Sequence, residues 1–275
     1  MRTVTTVPEL KAVRGAGGAG TVGFVPTMGA LHEGHLSLIR AARASTDVVV
    51  ASIFVNPLQF GPDEDFDAYP RNEEEDLELS RREGVDIVFL PGVDEIYPEG
   101  DSTTISAGEL GMVLEGEDRP GHFDGVCTVV GKLFNIVDPD VAFFGQKDAQ
   151  QVAVVKRMVR DLRFDIEIGV GPTVREDDGL ALSSRNRYLT EDERRRATAL
   201  YEALRLGAEL IDRQDLEATE KNMWDLMSER GLLPSYARVV DPDTFVPASP
   251  DGSKLLVVAA KLGRTRLIDN LLIEE

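Results

Sequence analysis

The chain has 275 residues, 42% of them hydrophobic, enough to bury a core and to form one large or two smaller domains. Its 49 acidic residues against 30 basic ones give a formal charge of −19. That excess argues against a nucleic-acid surface and disfavours an anionic membrane, because both attract Lys and Arg. An anionic substrate must therefore meet a local positive site within an acidic protein.

Taken in chain order, residues 22–25 read as a strand and 35–44 as an amphipathic helix. A continuous β-branched run at 48–55 reads as a strand buried on both faces. A charged surface helix follows over 72–83, then a strand over 87–90 stopped by Pro91-Gly92. Further on come an apolar helix at 125–137, a strand at 141–144, a helix at 149–159 and a strand at 166–170. The Gly- and Ala-rich stretch 15–20 reads as a loop. Repeated β–α alternation implies an α/β class, a Rossmann-like parallel sheet with helices on both faces. The pattern changes near Gly171-Pro172. Charged helices at 191–210 and 216–229 precede three strands, 236–240, 255–260 and 266–268, with no helix between them. The predicted domains are thus 1–173 and a smaller α+β unit, 174–275.

Cys127 is the single cysteine, so no intrachain disulfide forms and a cytoplasmic location fits. Its apolar neighbours Val126, Val129 and Val130 suggest a buried, inert thiol. The N-terminus has no signal-peptide pattern and no apolar run reaches ~18 residues, so no membrane segment is expected.

Four clusters carry candidate chemistry. The first is Pro26-Thr27-Met28-Gly29-Ala30-Leu31-His32-Glu33-Gly34-His35, a glycine-bearing turn between a strand and a helix start. A helix N-terminus offers unpaired N–H groups and partial positive charge, and His32 and His35 add imidazole donors, which suits phosphate. The i,i+3 spacing of the histidines, interrupted by Gly34, does not match a zinc-protease helix. The second cluster, Asn56-Pro57-Leu58-Gln59-Phe60, follows the next strand, where α/β sheets bind ligands. Its amides suit hydroxyl and carboxylate groups. The third, Gly145-Gln146-Lys147-Asp148 with Gln150 and Gln151, offers Lys147 to phosphate oxygens. The fourth, Leu182-Ser183-Ser184-Arg185-Asn186, is expected to close over a leaving pyrophosphate. Asp63, Asp65, Asp67 and Glu74 mimic calcium-loop spacing, but Ala68 stands where that loop needs Gly, so a solvated acidic loop is expected.

At these clusters the sequence resembles the pantothenate synthetase (pantoate–β-alanine ligase) family. PTMGALHEGH, IFVNPLQF, DAYPR, RPGHF, FGQKDAQQ, PTVRE and LSSRNRYL stand in the family's order, from about Thr21 to Leu189, and the likeness resumes at 264–270. The resemblance implies that the carboxylate of pantoate attacks the α-phosphorus of Mg·ATP, releasing pyrophosphate. The amine of β-alanine then attacks pantoyl adenylate, giving pantothenate and AMP. It also implies roles. Met28 to His35 line the ATP site, with His35 as proton donor or phosphate ligand and His32 beside it. Gly145 to Asp148 contact the nucleotide, with Lys147 on phosphate, and Val174 and Leu182 to Arg185 complete that site. Gln59 and Gln151 hold pantoate, Asn56 contributes to the same pocket, and Arg119 and His122 lie near it. Acidic residues around Asp76 are Mg²⁺ candidates, directly or through water, and the protein is expected to be a homodimer. Two positions depart from the pattern: Gln146 stands where Glu is common, and Ala149 where Phe or Tyr is common. The HEGH and SSR segments alone also fit a nucleotidylyltransferase acting on a phosphorylated small molecule. A catalytically silent nucleotide-binding protein is the third reading.

Overall fold

Parallel strands need long crossovers, and the helices that supply them cover the sheet. The computed structural model describes residues 1–16, 20–62, 64, 66–213, 215–249 and 251–274. The chain divides into two units, Met1–Gly145 with Val154–Gly171, and Gln146–Ala153 with Pro172–Glu275. Residues 146–153, which the sequence reading groups with the first domain, pack with the second unit.

The first unit contains β1 (Arg2–Val4), α1 (Val7–Ala16), β2 (Val22–Thr27), α2 (Glu33–Ser45), β3 (Val48–Ile53), α3 (Glu73–Arg82) and β4 (Ile87–Phe89). It continues with the short helices α4 (Val93–Ile96) and α5 (Glu115–Asp118), then α6 (His122–Val137) and β5 (Val141–Gly145). The helix α7 (Ala149–Leu162) begins in the second unit and ends in the first, before β6 (Glu167–Gly171). All six strands are parallel, in the order β1-β4-β3-β2-β5-β6. The chain builds one way from β2 through β3 and β4, and the other way through β5 and β6. The carboxyl end of β2 thus lies at the switch point, where such sheets bind ligands.

Side chains alternate across each strand, so successive positions point to opposite faces of the sheet. Val25, Val49, Ala51, Val88 and Phe143 join Leu36, Leu38, Ile39 and Ala42 of α2 in one buried cluster. Phe144, on the opposite face, meets Phe134 of α6 edge-on, with ring centres 6.4 Å apart. Helices therefore cover both faces, as the alternation predicts. Cys127 is buried inside α6, and burial, with Asp124 nearby, pushes its thiol up to about 12.

Several boundaries differ from the sequence reading. β1 is three residues long and α1 buries Leu10 fully, signals too short or sparse for periodicity to detect. α1 also absorbs Gly15 and Ala16, while residues 17–19 of the predicted loop lie outside the described residues. So do Asp63 and Asp65 of the calcium-like spacing. β2 runs through Pro26 to Thr27. Proline lacks the N–H a central strand needs, yet β5 pairs with β2 only at Gly23 and Phe24, so Pro26 lies beyond that ladder.

The second unit sets α8 (Glu191–Arg196), α9 (Ala199–Leu210) and α10 (Leu216–Glu229) with an antiparallel sheet. Its strands are β7 (Leu233–Val240), β8 (Lys254–Leu262) and β9 (Thr265–Ile273), in that order. Leu200 and Leu204 of α9 and Met223 and Met227 of α10 share a core with Val239, Leu256 and Val258. The single helix predicted over 191–210 is two helices. At the break Leu200 N donates to Ala197 O (3.2 Å), an i→i−3 bond in place of the α ladder's i→i−4. β9 extends five residues beyond the predicted 266–268 end, to Ile273, and takes in the polar pair Asp269-Asn270. Among the described residues, no helix is long and apolar enough to cross a membrane.

Candidate functional site

In the first unit the backbone leaves β2 through two left-handed residues, Gly29 (φ +80°) and Ala30 (φ +50°). Glycine adopts this region freely, but alanine needs outside support. Asp76, in the first turn of α3 and 2% exposed, supplies it. Its Oδ2 accepts from Ala30 N at 2.8 Å and its Oδ1 from Leu31 N at 2.7 Å. A Cβ on Gly29 would come within 2.8 Å of that same Oδ2. Asp76, a Mg²⁺ candidate on the sequence, is thus the anchor of this turn, with both oxygens on backbone N–H groups. Among the described residues, no group of three or more His, Cys, Asp or Glu is placed to hold a metal.

The turn delivers the chain to α2, where His32 is the N-cap. His32 Nδ1 accepts from Gly34 N (3.2 Å), and His35 Nδ1 accepts from His32 N (3.3 Å), a reciprocal capping box made of two imidazoles. With both Nδ1 atoms accepting, each neutral ring carries its proton on Nε2. The rings lie 4.1 Å apart between centres. The sequence thus sets two Nε2–H donors at a helix N-terminus, where the dipole favours an anion. Glu33, predicted in the same cluster, forms an exposed ion pair with Arg40 further along α2.

Gln59 ends a short 3₁₀ turn after β3, and its neighbours fix which way its amide points. Asn56 Oδ1 accepts from Leu58 N (3.3 Å), a group that can only donate. Asn56 Nδ2 donates to Gly125 O (3.1 Å), a group that can only accept. The sense of the Asn56 amide is therefore unambiguous. Its second N–H goes to Gln59 Oε1 (3.1 Å), which leaves Gln59 Nε2 facing Met28 Sδ (3.1 Å), a weak acceptor. Tyr97 OH donates to Asn56 Oδ1 at 2.7 Å, and burial, with Asp101 nearby, pushes that phenol up, so it stays a donor. Asn56 is 1% exposed and its hydrogen-bonding capacity is filled within the protein. Through these bonds Asn56 orients Gln59.

Arg119 and His122, placed by the sequence near the substrate, hold the Gln59 backbone. His122 Nδ1 lies 2.8 Å from Gln59 O, and Arg119 Nη2 donates to the same oxygen at 3.2 Å. Arg119 Nη1 donates to His122 Nε2 (3.0 Å), so only the Nδ1–H tautomer satisfies both contacts. Glu64 grips Arg119 through both oxygens, at 2.7 and 2.6 Å. Burial opposes ionisation of Glu64, but the Arg119 bonds outweigh it and hold the carboxyl below its ordinary range. The chain reaches this packing because residue 125 is glycine. A Cβ there would lie 2.2 Å from Leu58 O.

In the second unit, Lys147 sits in a 3₁₀ turn ahead of α7, with its Nζ 3.3 Å from Asp148 Oδ1. Gln151 is half-buried in the first turn of α7, and Ala149 is buried beside it. Val174 O accepts from Leu182 N (3.0 Å), and Arg175 bridges to Ala181, so the 174–182 stretch doubles back on itself. Ser183 caps the next turn, accepting from Arg185 N (3.3 Å), which sets Ser184 and Arg185 at its start. Arg175 makes a fork to the buried Asp269 of β9, at 2.6 and 3.0 Å, and stacks 3.9 Å over the Tyr201 ring. Burial raises the Asp269 carboxyl and Arg175 opposes that rise. Asn270, the next residue, bonds to Gln146 and Lys147. Sequence reasoning missed the supports that Tyr97 and Gly125 give in the first unit and those that Asp269 and Asn270 give in the second. The available signal was a polar pair inside an otherwise apolar strand.

A separate cavity of about 930 Å³ in the first unit is lined by Arg2, Val22, Asp47, Val48, Ile87 and Ile166. These residues mark the amino ends of the strands, the opposite end from the motifs, and the wrong end for α/β chemistry.

The model of the family described as pantoate-beta-alanine ligase matches residues 2–272. The chain is 54% identical over 258 residues to a pantothenate synthetase of Caldicellulosiruptor saccharolyticus, covering 92% of each. It is 50% identical over 280 residues to that of Acetivibrio thermocellus, covering all of both. The crystal structure of pantothenate synthetase from Thermus thermophilus superposes with a TM-score of 0.94 at 48% identity, covering 98% of this chain and 99% of that one. A pantoate-beta-alanine ligase from Francisella tularensis, complexed with beta-gamma ATP and beta-alanine, gives 0.83 at 36% identity, covering 99% and 97%.

Proposed function

Because the chain belongs to the pantoate–β-alanine ligase family, we propose that its own residues divide the work of one two-step condensation as follows. The chain is an ATP-dependent ligase that joins pantoate to β-alanine, giving pantothenate, AMP and pyrophosphate. A pantoate carboxylate oxygen attacks the α-phosphorus of ATP, and the bond to the β-phosphate oxygen breaks. The amine of β-alanine then attacks the acyl carbon of the adenylate, loses a proton and expels AMP. Neither step needs a protein nucleophile. Positioning and charge neutralisation suffice.

The observation that carries the assignment is the double-imidazole cap. Both Nδ1 atoms hold backbone N–H groups, so His32 and His35 offer Nε2–H to the phosphates. As pyrophosphate leaves, these donors and the α2 dipole stabilise its growing charge. Gln59 offers Nε2–H to an acceptor of pantoate, a sense imposed by Asn56, and Gln151 takes the same substrate. Lys147, Ser184 and Arg185 hold phosphate oxygens, and Val174 and Leu182 take the nucleoside. Mg²⁺ enters with the nucleotide as Mg·ATP, in keeping with its habit of binding substrate phosphates and few protein groups. The protein is a cytoplasmic homodimer in this reading.

The test is AMP and pyrophosphate release from Mg·ATP and pantoate, with and without β-alanine. Product AMP that requires both acids and ATP supports the two-step ligase. Pyrophosphate release that ignores pantoate would sink it and favour nucleotidylyl transfer to another acceptor.

A further inference from the structure

We propose that Asn270, on the C-terminal strand, is the positioning residue for Lys147, aiming its ammonium at the ATP phosphates. The proposal rests on the reading of Lys147 as a phosphate contact. Asn270 is 4% exposed. Its Nδ2 donates to Gln146 O and to Lys147 O, both at 2.9 Å. These are consecutive carbonyls, and they belong to the two peptide planes on either side of the Lys147 Cα. Each plane is rigid. Fixing both fixes φ and ψ of Lys147, and with them the direction of its Cβ. The remaining atom, Asn270 Oδ1, accepts from Gln146 Nε2 at 3.1 Å, so the carboxamide is bound to this segment at both ends. The two carbonyls can only accept, so the amide sense is not reversible.

Strand geometry explains why one pair of residues reaches two segments. Successive side chains on a strand point to opposite faces. Asp269 pairs in register with Val258, which faces the α9–α10 core, and there it grips Arg175. Asn270 pairs with Val257 and points the other way, to Gln146 and Lys147. Arg175 in turn bonds to Gly179 O (3.0 Å) at the tip of the 174–182 stretch. The Asp269-Asn270 pair thus ties down both nucleotide segments of the second unit, although it lies 123 residues beyond Lys147.

The test is steady-state kinetics on Asn270→Ala, Lys147→Ala and the double variant in the full-length enzyme. Asn270→Ala should raise the KM for ATP about tenfold, with kcat and the KM for pantoate within about twofold of the parent. The double variant should be no worse than Lys147→Ala, since a residue that acts through Lys147 has nothing left to act on. An equal rise in both KM values, or a multiplicative double variant, overturns the proposal. An unchanged KM for ATP in Lys147→Ala instead overturns the phosphate role of Lys147 itself. Should Asn270→Ala not fold, Asn270→Ser keeps one donor and should give a smaller rise confined to ATP. A rise shared with pantoate there also overturns the proposal.

Discussion

In the first unit a carboxylate gathers backbone N–H groups, and in the second a carboxamide gathers backbone carbonyls. Asp76 accepts from Ala30 and Leu31, and Asn270 donates to Gln146 and Lys147. Each buried side chain fixes two consecutive peptide groups of a loop proposed to meet ATP. The difference lies in what the loop must present. The first turn feeds a helix whose own N-terminus and imidazoles supply the donors, so its earlier N–H groups are free to be held by a buried acid. The second presents a lysine, and an additional buried carboxylate beneath it would compete for that charge. A neutral amide fixes the backbone there without opposing the cation.

The sharpest test of this division sets a group proposed to act on the phosphates against groups proposed only to hold backbone. His35→Ala should lower the rate of adenylate formation by roughly 10²–10³, the usual loss for one oxyanion donor. Pyrophosphate burst kinetics measures it, and a near-normal burst removes His35 from the chemistry. The next effect is on folding. Asp76→Ala strands two buried N–H donors and should cost about 2–5 kcal/mol, with Asp76→Asn losing part of that. Denaturant unfolding would show it, and a parental midpoint for Asp76→Ala would refute the anchor role. The smallest effect exchanges one unit's chemistry for the other's. Asn270→Asp sets a carboxylate against two carbonyl oxygens, so at pH 8 its KM for ATP should exceed that of Asn270→Ala. Those carbonyls raise the folded-state pKa of the new carboxyl, so as pH falls through that value an O–H donor returns and the gap should narrow. A pH-independent gap would count against the donor role of position 270.

Much of this was legible beforehand. The β–α alternation predicted a helix-covered parallel sheet, and HEGH at the end of a strand placed the histidines at a helix start. Spacing could not reveal that both Nδ1 atoms are already committed, since a cap made of imidazoles leaves no distinct pattern. Asn56 and Gln59 were recognised as a pair, but their unequal roles depend on Gly125 O and Leu58 N, contacts set by tertiary packing. The strand predicted over 266–268 stops short of Asp269 and Asn270, a polar pair that breaks the apolar pattern. The partners Arg175, Gln146 and Lys147, far away in sequence, make burial of that pair tolerable.

Gly125 carries a consequence for anyone who maps this protein by saturation mutagenesis. Its missing side chain is what lets α6 rest on the turn that carries Gln59. Every replacement there collides with backbone rather than with a movable side chain. In a growth selection, position 125 would therefore score as intolerant as His35, although glycine offers no functional group. Fitness alone would enrol a spacer among the groups proposed to act on ATP, and only kinetics on a purified variant would tell the two apart.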